Sequence, residues 1–252
     1  MKSQAPIGVF DSGLGGLSVL RQMCGQLPHE HFIYYGDTLH APYGVRPTEE
    51  ILRLSLDAAD QLVRQGIKAL VIACNTATGV ALDSLQQRLD IPVIGIQPAL
   101  EAAQAVRGEG EILVLATPAT LKTERYARLL KQHGDHVISL PAPGLMEFVE
   151  REELSGPGLS AFLDQLLTPV AGQKIDVVVL GCTHYPFLSA ALGYRFPDAR
   201  LMDDSPRVTA ALRAALQARG QLNTQAGEGR VVLSSSGGEQ AVQRMRRLLE
   251  VG

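Results

Sequence analysis

The chain has 252 residues, 46% hydrophobic and 19% charged, enough apolar material to bury one large or two small cores. Its formal net charge is −3 and no run of like charges stands out, which argues against a nucleic-acid or membrane-surface role. No stretch of about 18 apolar residues exists to span a bilayer, and MKSQAPIGVFDSG lacks the apolar centre of a secretory signal, so a cytoplasmic protein is expected.

The predicted elements alternate between short apolar runs and helical spacing. A strand is expected at 7–10, followed by Asp11-Ser12-Gly13-Leu14-Gly15-Gly16 and a helix at 17–27. Strands follow at 32–35, 69–73, 93–96, 112–116, 137–140, 177–180 and 231–234. Helices are expected at 48–65, 78–89, 121–132, 158–167 and 240–249. Runs such as Val177-Val178-Val179-Leu180 do not alternate with polar residues, as expected of parallel strands covered on both faces. The class is α/β with mainly parallel sheets.

The chain also repeats itself. Residues 70–76, LVIACNT, resemble 178–184, VVLGCTH, with Cys74 and Cys182 offset by 108 positions (182 − 74). VFDSG at 9–13 answers to LATPA at 115–119 at an offset of 106 (115 − 9). Two α/β units of about 100 residues follow, a typical domain size. Paired units can set equivalent strand ends across a cleft, where ligands of open α/β sheets bind.

Cys24, Cys74 and Cys182 are odd in number and far apart, unlike a disulfide framework, so free thiols are expected. Cys74 ends KALVIAC and opens a helix, where the positive end of the helix dipole favours a thiolate and free N–H groups can hold a carboxylate. Asn75 and Thr76 add polar groups. Cys182 ends DVVVLGC in the same way, with Thr183 and His184 next. A lone cysteine in such a place is ordinarily a small core residue. Two at equivalent positions of a repeat suit the inversion of a carbon centre, where one group removes a proton and its counterpart delivers one to the opposite face. Asn75, Thr76 and Thr183 are candidate donors to charge developing on a substrate carboxylate.

Other candidates have bland readings beside the functional ones. Gly13-x-Gly15 begins a dinucleotide fingerprint and Asp37 stands where a ribose-binding acid would fall, but Ser18 replaces the third glycine and Asp11 would repel a pyrophosphate. In a substrate cleft Asp11 would hold an ammonium group or a base and Ser12 would donate a hydrogen bond. Tyr43-Gly44 reads as a turn on a loop after a strand. Thr117, Thr120 and Glu150 lie after predicted strands or on nearby helices, as caps or solvated side chains would.

Taken together, IGVFDSGLGGLSVL, YYGDTLHAPYG, VIACNTATGVAL, PVIGIQPALEAA, VLATPATL, PGLMEFVE, VVLGCTHYPFL and SSSGG resemble the glutamate racemases of the aspartate/glutamate racemase superfamily, over nearly the whole chain. The resemblance implies interconversion of L- and D-glutamate without pyridoxal phosphate, another cofactor or a metal, feeding bacterial peptidoglycan synthesis. It assigns proton abstraction from D-glutamate to Cys74 and from L-glutamate to Cys182, assisted by Asp11 and His184 respectively, with Glu150 on the His184 side. It assigns substrate binding to Asp11, Ser12, Tyr43, Gly44, Asn75, Thr76, Thr183 and His184, and Thr117 and Thr120 join this set. Two pseudo-twofold related domains of three layers each, with the site between them, are implied: 1–97 plus 207–252, and 98–206. A homodimer is expected. Ala142-Pro143 departs from the Cys-Pro often found in the family. No long N-terminal extension of the activator-binding kind is seen, so no such activation is expected. The competing readings are a racemase of aspartate or another amino acid, a zinc hydrolase using Cys74, Cys182 and His184, and a non-catalytic amino-acid-binding module. No CxxC pair or HExxH helix supports zinc.

Overall fold

The structure, a computed structural model, describes residues 2–225 and 227–250. Among the described residues nine strands form: β1 Ile7–Asp11, β2 Phe32–Gly36, β3 Ala69–Ile72, β4 Val93–Gly95, β5 Glu111–Ala116, β6 Val137–Pro141, β7 Ile175–Leu180, β8 Arg200–Met202 and β9 Val231–Ser235. The helices are α1 Leu17–Gln26, α2 Thr48–Val63, α3 Asn75–Arg88, α4 Leu100–Val106, α5 Pro118–Leu121, α6 Glu124–His133, α7 Leu145–Glu150, α8 Pro157–Leu166, α9 Ser189–Arg195, α10 Ser205–Ala218 and α11 Gly238–Glu250. The eight expected strands all form, with ends within two residues of those expected. β8 was not expected; it is a three-residue edge strand.

Two wholly parallel sheets result, ordered β4-β3-β1-β2-β9 and β6-β5-β7-β8. Read from its other edge, the second sheet runs β8-β7-β5-β6 and matches β4-β3-β1-β2 strand for strand. The sequence repeat is therefore a repeat of topology, and Cys74 and Cys182 follow the equivalent strands β3 and β7.

Side-chain alternation along each strand builds the layers. On β5, Ile112 and Val114 pack with Leu100, Tyr126 and Leu129 of α4 and α6. Leu113 and Leu115 point the other way, into a core that continues to Val9, Tyr34 and Val71 of the first sheet. That shared core takes in α1, α7, α8, α10 and α11, whereas α2 and α3 cover the opposite face of the first sheet. Val208, Leu212 and Leu216 of α10 are fully buried, each contributing about 1.5–3 kcal/mol of apolar burial.

The expected helix 121–132 forms as α6, three residues late at Glu124, and a separate short α5 precedes it. Thr123 Oγ1 caps α6 by accepting from the Tyr126 N–H at 3.2 Å, and Thr117 caps α5 by accepting from Thr120 N at 3.2 Å. After Cys182, unlike after Cys74, no α-helix starts at the next residue. A 3₁₀ turn spans Tyr185–Leu188 and α9 begins at Ser189. Pro186 has no N–H to return to the Cys182 carbonyl, so Tyr185 N closes the turn instead, at 3.0 Å.

Candidate active site

The carboxyl ends of β1, β3, β5 and β7 converge on a cavity lined by Ser12, Tyr43, Gly44, Cys74, Asn75, Thr76, Thr117, Cys182, Thr183 and His184. Gly181 and Met146 of α7 complete the lining. Neither was singled out from sequence: Met146 sits in a helix too short to show a period, and Gly181 reads as part of a strand end. Asp11, Thr120 and Glu150 stand behind this wall. Asp11 is wholly buried, and all three act on the cavity through hydrogen bonds to residues that line it.

Cys74 has extended backbone and α3 starts at the next residue. Its Sγ caps the helix by accepting from Ala77 N at 3.4 Å and lies 3.3 Å from Ser12 Oγ. Burial pushes the thiol up to about 12, with the charge of Asp11 adding to the effect and the bonds from Ser12 and Ala77 opposing it. Burial and the Asp11 charge thus outweigh the two hydrogen bonds, and Cys74 rests as a thiol. Because the thiolate is the nucleophile, alkylation of Cys74 by iodoacetamide is expected to quicken by about tenfold per pH unit from pH 7 to pH 10. A plateau near pH 8 in peptide-resolved mass spectrometry would contradict this reading.

Cys182 has a different neighbour. His184 Nδ1 lies 3.6 Å from its Sγ, and Nε2 lies 2.8 Å from Glu150 Oε1. Glu150 Oε1 also accepts from Leu14 N at 3.0 Å. Burial disfavours an imidazolium, but the bonds to Cys182 and Glu150 outweigh it and hold the His184 pKa well above its ordinary value. Glu150 is likewise held below the usual carboxylate range: burial works to raise it, and the bond and charge of His184 prevail.

Asp11 bridges the two halves. Its carboxylate accepts from Gly13 N at 2.8 Å and from Thr183 Oγ1 at 3.0 Å. Burial raises its pKa against the pull of the His184 charge and these two bonds. Its influence on Cys74 is through charge, since the hydroxyl at that sulfur belongs to Ser12.

The glycine-rich loop is a packing surface for His184 and Glu150. A Cβ at Gly15 would come within 2.3 Å of His184 Nδ1, and one at Gly13 within 2.5 Å of Glu150 Oε1. Glycine at these positions lets the loop after β1 approach Glu150 and His184 so closely. Opposite, the hydroxyls of Thr76, Thr117 and Thr120 form a triangle with sides of 2.9–3.1 Å. Asn75 Oδ1 is buried without a hydrogen-bond partner, although it belongs to a residue of the cavity wall. An acceptor left bare in that way suits an ammonium group.

A family model described as Asp/Glu/Hydantoin racemase matches residues 12–218. The chain belongs to this racemase family. A curated glutamate racemase of Clostridium botulinum (strain Alaska E43 / Type E3) is 38% identical over 255 residues, covering 99% of this chain and 98% of the relative. The solved glutamate racemase of Thermus thermophilus, in complex with β-chloro-D-alanine, is similar with a TM-score of 0.84 and 36% identity, covering 98% of this chain and 93% of that one. That of Francisella tularensis subsp. tularensis SCHU S4, in complex with D-glutamate, has a TM-score of 0.84 and 29% identity, covering 98% and 94%. The racemase family membership makes the protein an isomerase, and the two parallel sheets match the architecture of these relatives. Among the described residues no group of three or more His, Cys, Asp or Glu is placed to hold a metal ion, and no helix is long and apolar enough to cross a membrane.

Proposed function

We propose that this racemase interconverts L- and D-glutamate by two opposed thiols, without a cofactor. The observation that carries the reading is that Cys74 and Cys182, which follow equivalent strands of two repeated sheets, line one cavity. In the D-to-L direction the small fraction of Cys74 present as thiolate takes the α-proton of D-glutamate, and the electron pair left on carbon is shared with the substrate carboxylate. The Cys182 thiol then gives its proton to the opposite face and becomes the thiolate. In the L-to-D direction the roles exchange.

The surroundings support the two roles differently. His184, kept cationic-prone by its bonds to Cys182 and Glu150, sets an N–H donor at Cys182 as its charge changes. Ser12 and Ala77 N supply that service at Cys74. Asn75 Oδ1 is an unclaimed acceptor for the α-ammonium, and the threonine triangle offers hydroxyls that can turn toward a carboxylate. Glutamate as the substrate is supported by the relatives named glutamate racemase, one of them holding D-glutamate.

The same reading has the enzyme work in the cytoplasm as a homodimer and supply D-glutamate for peptidoglycan. It divides the chain into domains 1–97 plus 207–252 and 98–206, supported by β9 joining the first sheet and by α10 packing on α1, β3 and β4.

Incubation with L-glutamate in deuterated water, with no cofactor added, is the test. Chiral chromatography with mass detection is expected to show D-glutamate carrying one deuterium at the α-carbon, and aspartate run alongside is expected to exchange far more slowly. Absence of α-exchange, or exchange only once pyridoxal phosphate is supplied, overturns the mechanism.

A further inference from the structure

Asp37 has no place in the chemistry above, yet it is 97% buried beside the site. Its carboxylate accepts from the Tyr43 hydroxyl at 2.7 Å and lies 2.8 and 3.0 Å from His40 Nδ1. Its backbone N–H donates to the Asp11 carbonyl at 2.9 Å, so the anchor is fixed to the strand that carries the site. Tyr43 is buried against Phe10, with ring centroids 6.2 Å apart. Its hydroxyl is committed to Asp37, while Tyr43 and Gly44 both line the cavity.

The segment after Tyr43 is a partition. Gly44 lines the reaction cavity and also a larger outer cavity of about 620 Å³, whose wall continues through Val45, Arg46 and Pro47. Gly44 also lies against Thr117 of the other half: a Cβ there would come within 2.8 Å of Thr117 Cβ. Arg46 Nε donates to the His40 carbonyl at 2.6 Å, which ties the partition back to the same anchor.

We propose that Asp37 is a positioning residue that, through Tyr43, holds residues 43–47 as the wall separating the reaction cavity from the outer cavity. The inference rests on the proposed glutamate chemistry only for what the wall confines. With the anchor lost, Gly44 can part from Thr117 and the two cavities can join, which weakens substrate binding and admits other small molecules to Cys74.

A double-mutant cycle on Asp37→Ala and Tyr43→Phe tests this with two readouts. One is KM and kcat for glutamate. The other is the rate of Cys74 alkylation by iodoacetamide without substrate, located by peptide mass spectrometry, which needs no racemisation. Each single variant is expected to raise KM by about tenfold, with a smaller change in kcat, and to quicken alkylation by about tenfold. The double variant should be no worse than the worse single one, because both remove the same bond. Asp37→Asn keeps an acceptor oxygen and is expected to stay within about threefold of the parent in both readouts. Effects that multiply in the double variant, Asp37→Asn as damaging as Asp37→Ala, or a loss confined to kcat with unchanged alkylation would each overturn the assignment. Should Asp37→Ala fail to fold, the cycle is run with Asp37→Asn, where Tyr43→Phe must still quicken alkylation. If the parent does not racemise glutamate, the proposed function fails, and the alkylation cycle still decides the role of Asp37.

Discussion

Serine in place of either Cys74 or Cys182 is expected to lower racemisation by about 10²–10⁴-fold, the range that a positioned acid–base group contributes. The hydroxyl occupies nearly the same space but is a far weaker acid, so the variant keeps its shape and loses its proton carrier. Enantiomers have equal free energies in water, so kcat/KM must fall by the same factor in both directions for either variant. Isotope exchange breaks this symmetry. With Cys182→Ser, Cys74 can still remove the α-proton of D-glutamate and return a solvent deuteron to the same face. D-Glutamate should then exchange without inverting, while L-glutamate exchanges much more slowly; Cys74→Ser should show the reverse. Nuclear magnetic resonance of the α-position in deuterated water follows both. Equal loss of exchange in the two enantiomers for a single variant would mean that the sulfurs do not serve opposite faces.

Much of this site was legible because its information is local. A thiol at the end of an apolar run, followed by polar residues, marks the mouth of a parallel sheet, and the near-equal offsets of 108 and 106 reported a repeat that the strand orders then displayed. What stayed hidden depends on contacts distant in sequence. Gly13 and Gly15 suggested a ligand loop, whereas their neighbours are Glu150 and His184, more than 130 positions away. Tyr43 was read as a turn residue with a possible substrate role, and nothing local tells that its hydroxyl is claimed by Asp37. Cys74 looked primed as a thiolate from its helix position; only the fold shows that burial decides the contest. The helix α10 is a different kind of miss. Asp204 and Ser205-Pro206 form a start signal, and Val208, Leu212 and Leu216 recur every four residues, so its pattern was there to be read.

Lys68→Met is expected to destabilise the fold by about 3–5 kcal/mol, the range for removing one partner of a buried ion pair. Lys68 Nζ lies 2.5 Å from Glu30 Oε2, with side chains 2% and 1% exposed. The ammonium also donates to the carbonyls of Ser3 at 2.5 Å and Gln221 at 2.9 Å, while Glu30 Oε1 accepts from Asn223 N at 2.8 Å. One ion pair thus ties together the N-terminal segment, the entries to β2 and β3, and the chain that leads from α10 back to β9. Methionine fills much of the volume but leaves the Glu30 carboxylate charged, buried and missing its counterion. For a chain of this size the loss corresponds to a fall in Tm of roughly 6–20 °C. Adding Glu30→Gln removes the orphaned charge while keeping an acceptor for Asn223 N, so the double variant should regain more than half of the lost stability. The pair sits before β3 and Cys74 after it, roughly 20 Å away at strand spacing. Racemisation at 25 °C should therefore persist in the folded fraction of both variants. Urea unfolding of the three proteins decides the matter: a loss below about 1 kcal/mol in Lys68→Met would mean that water reaches Glu30, and that the pair is no more than a surface contact.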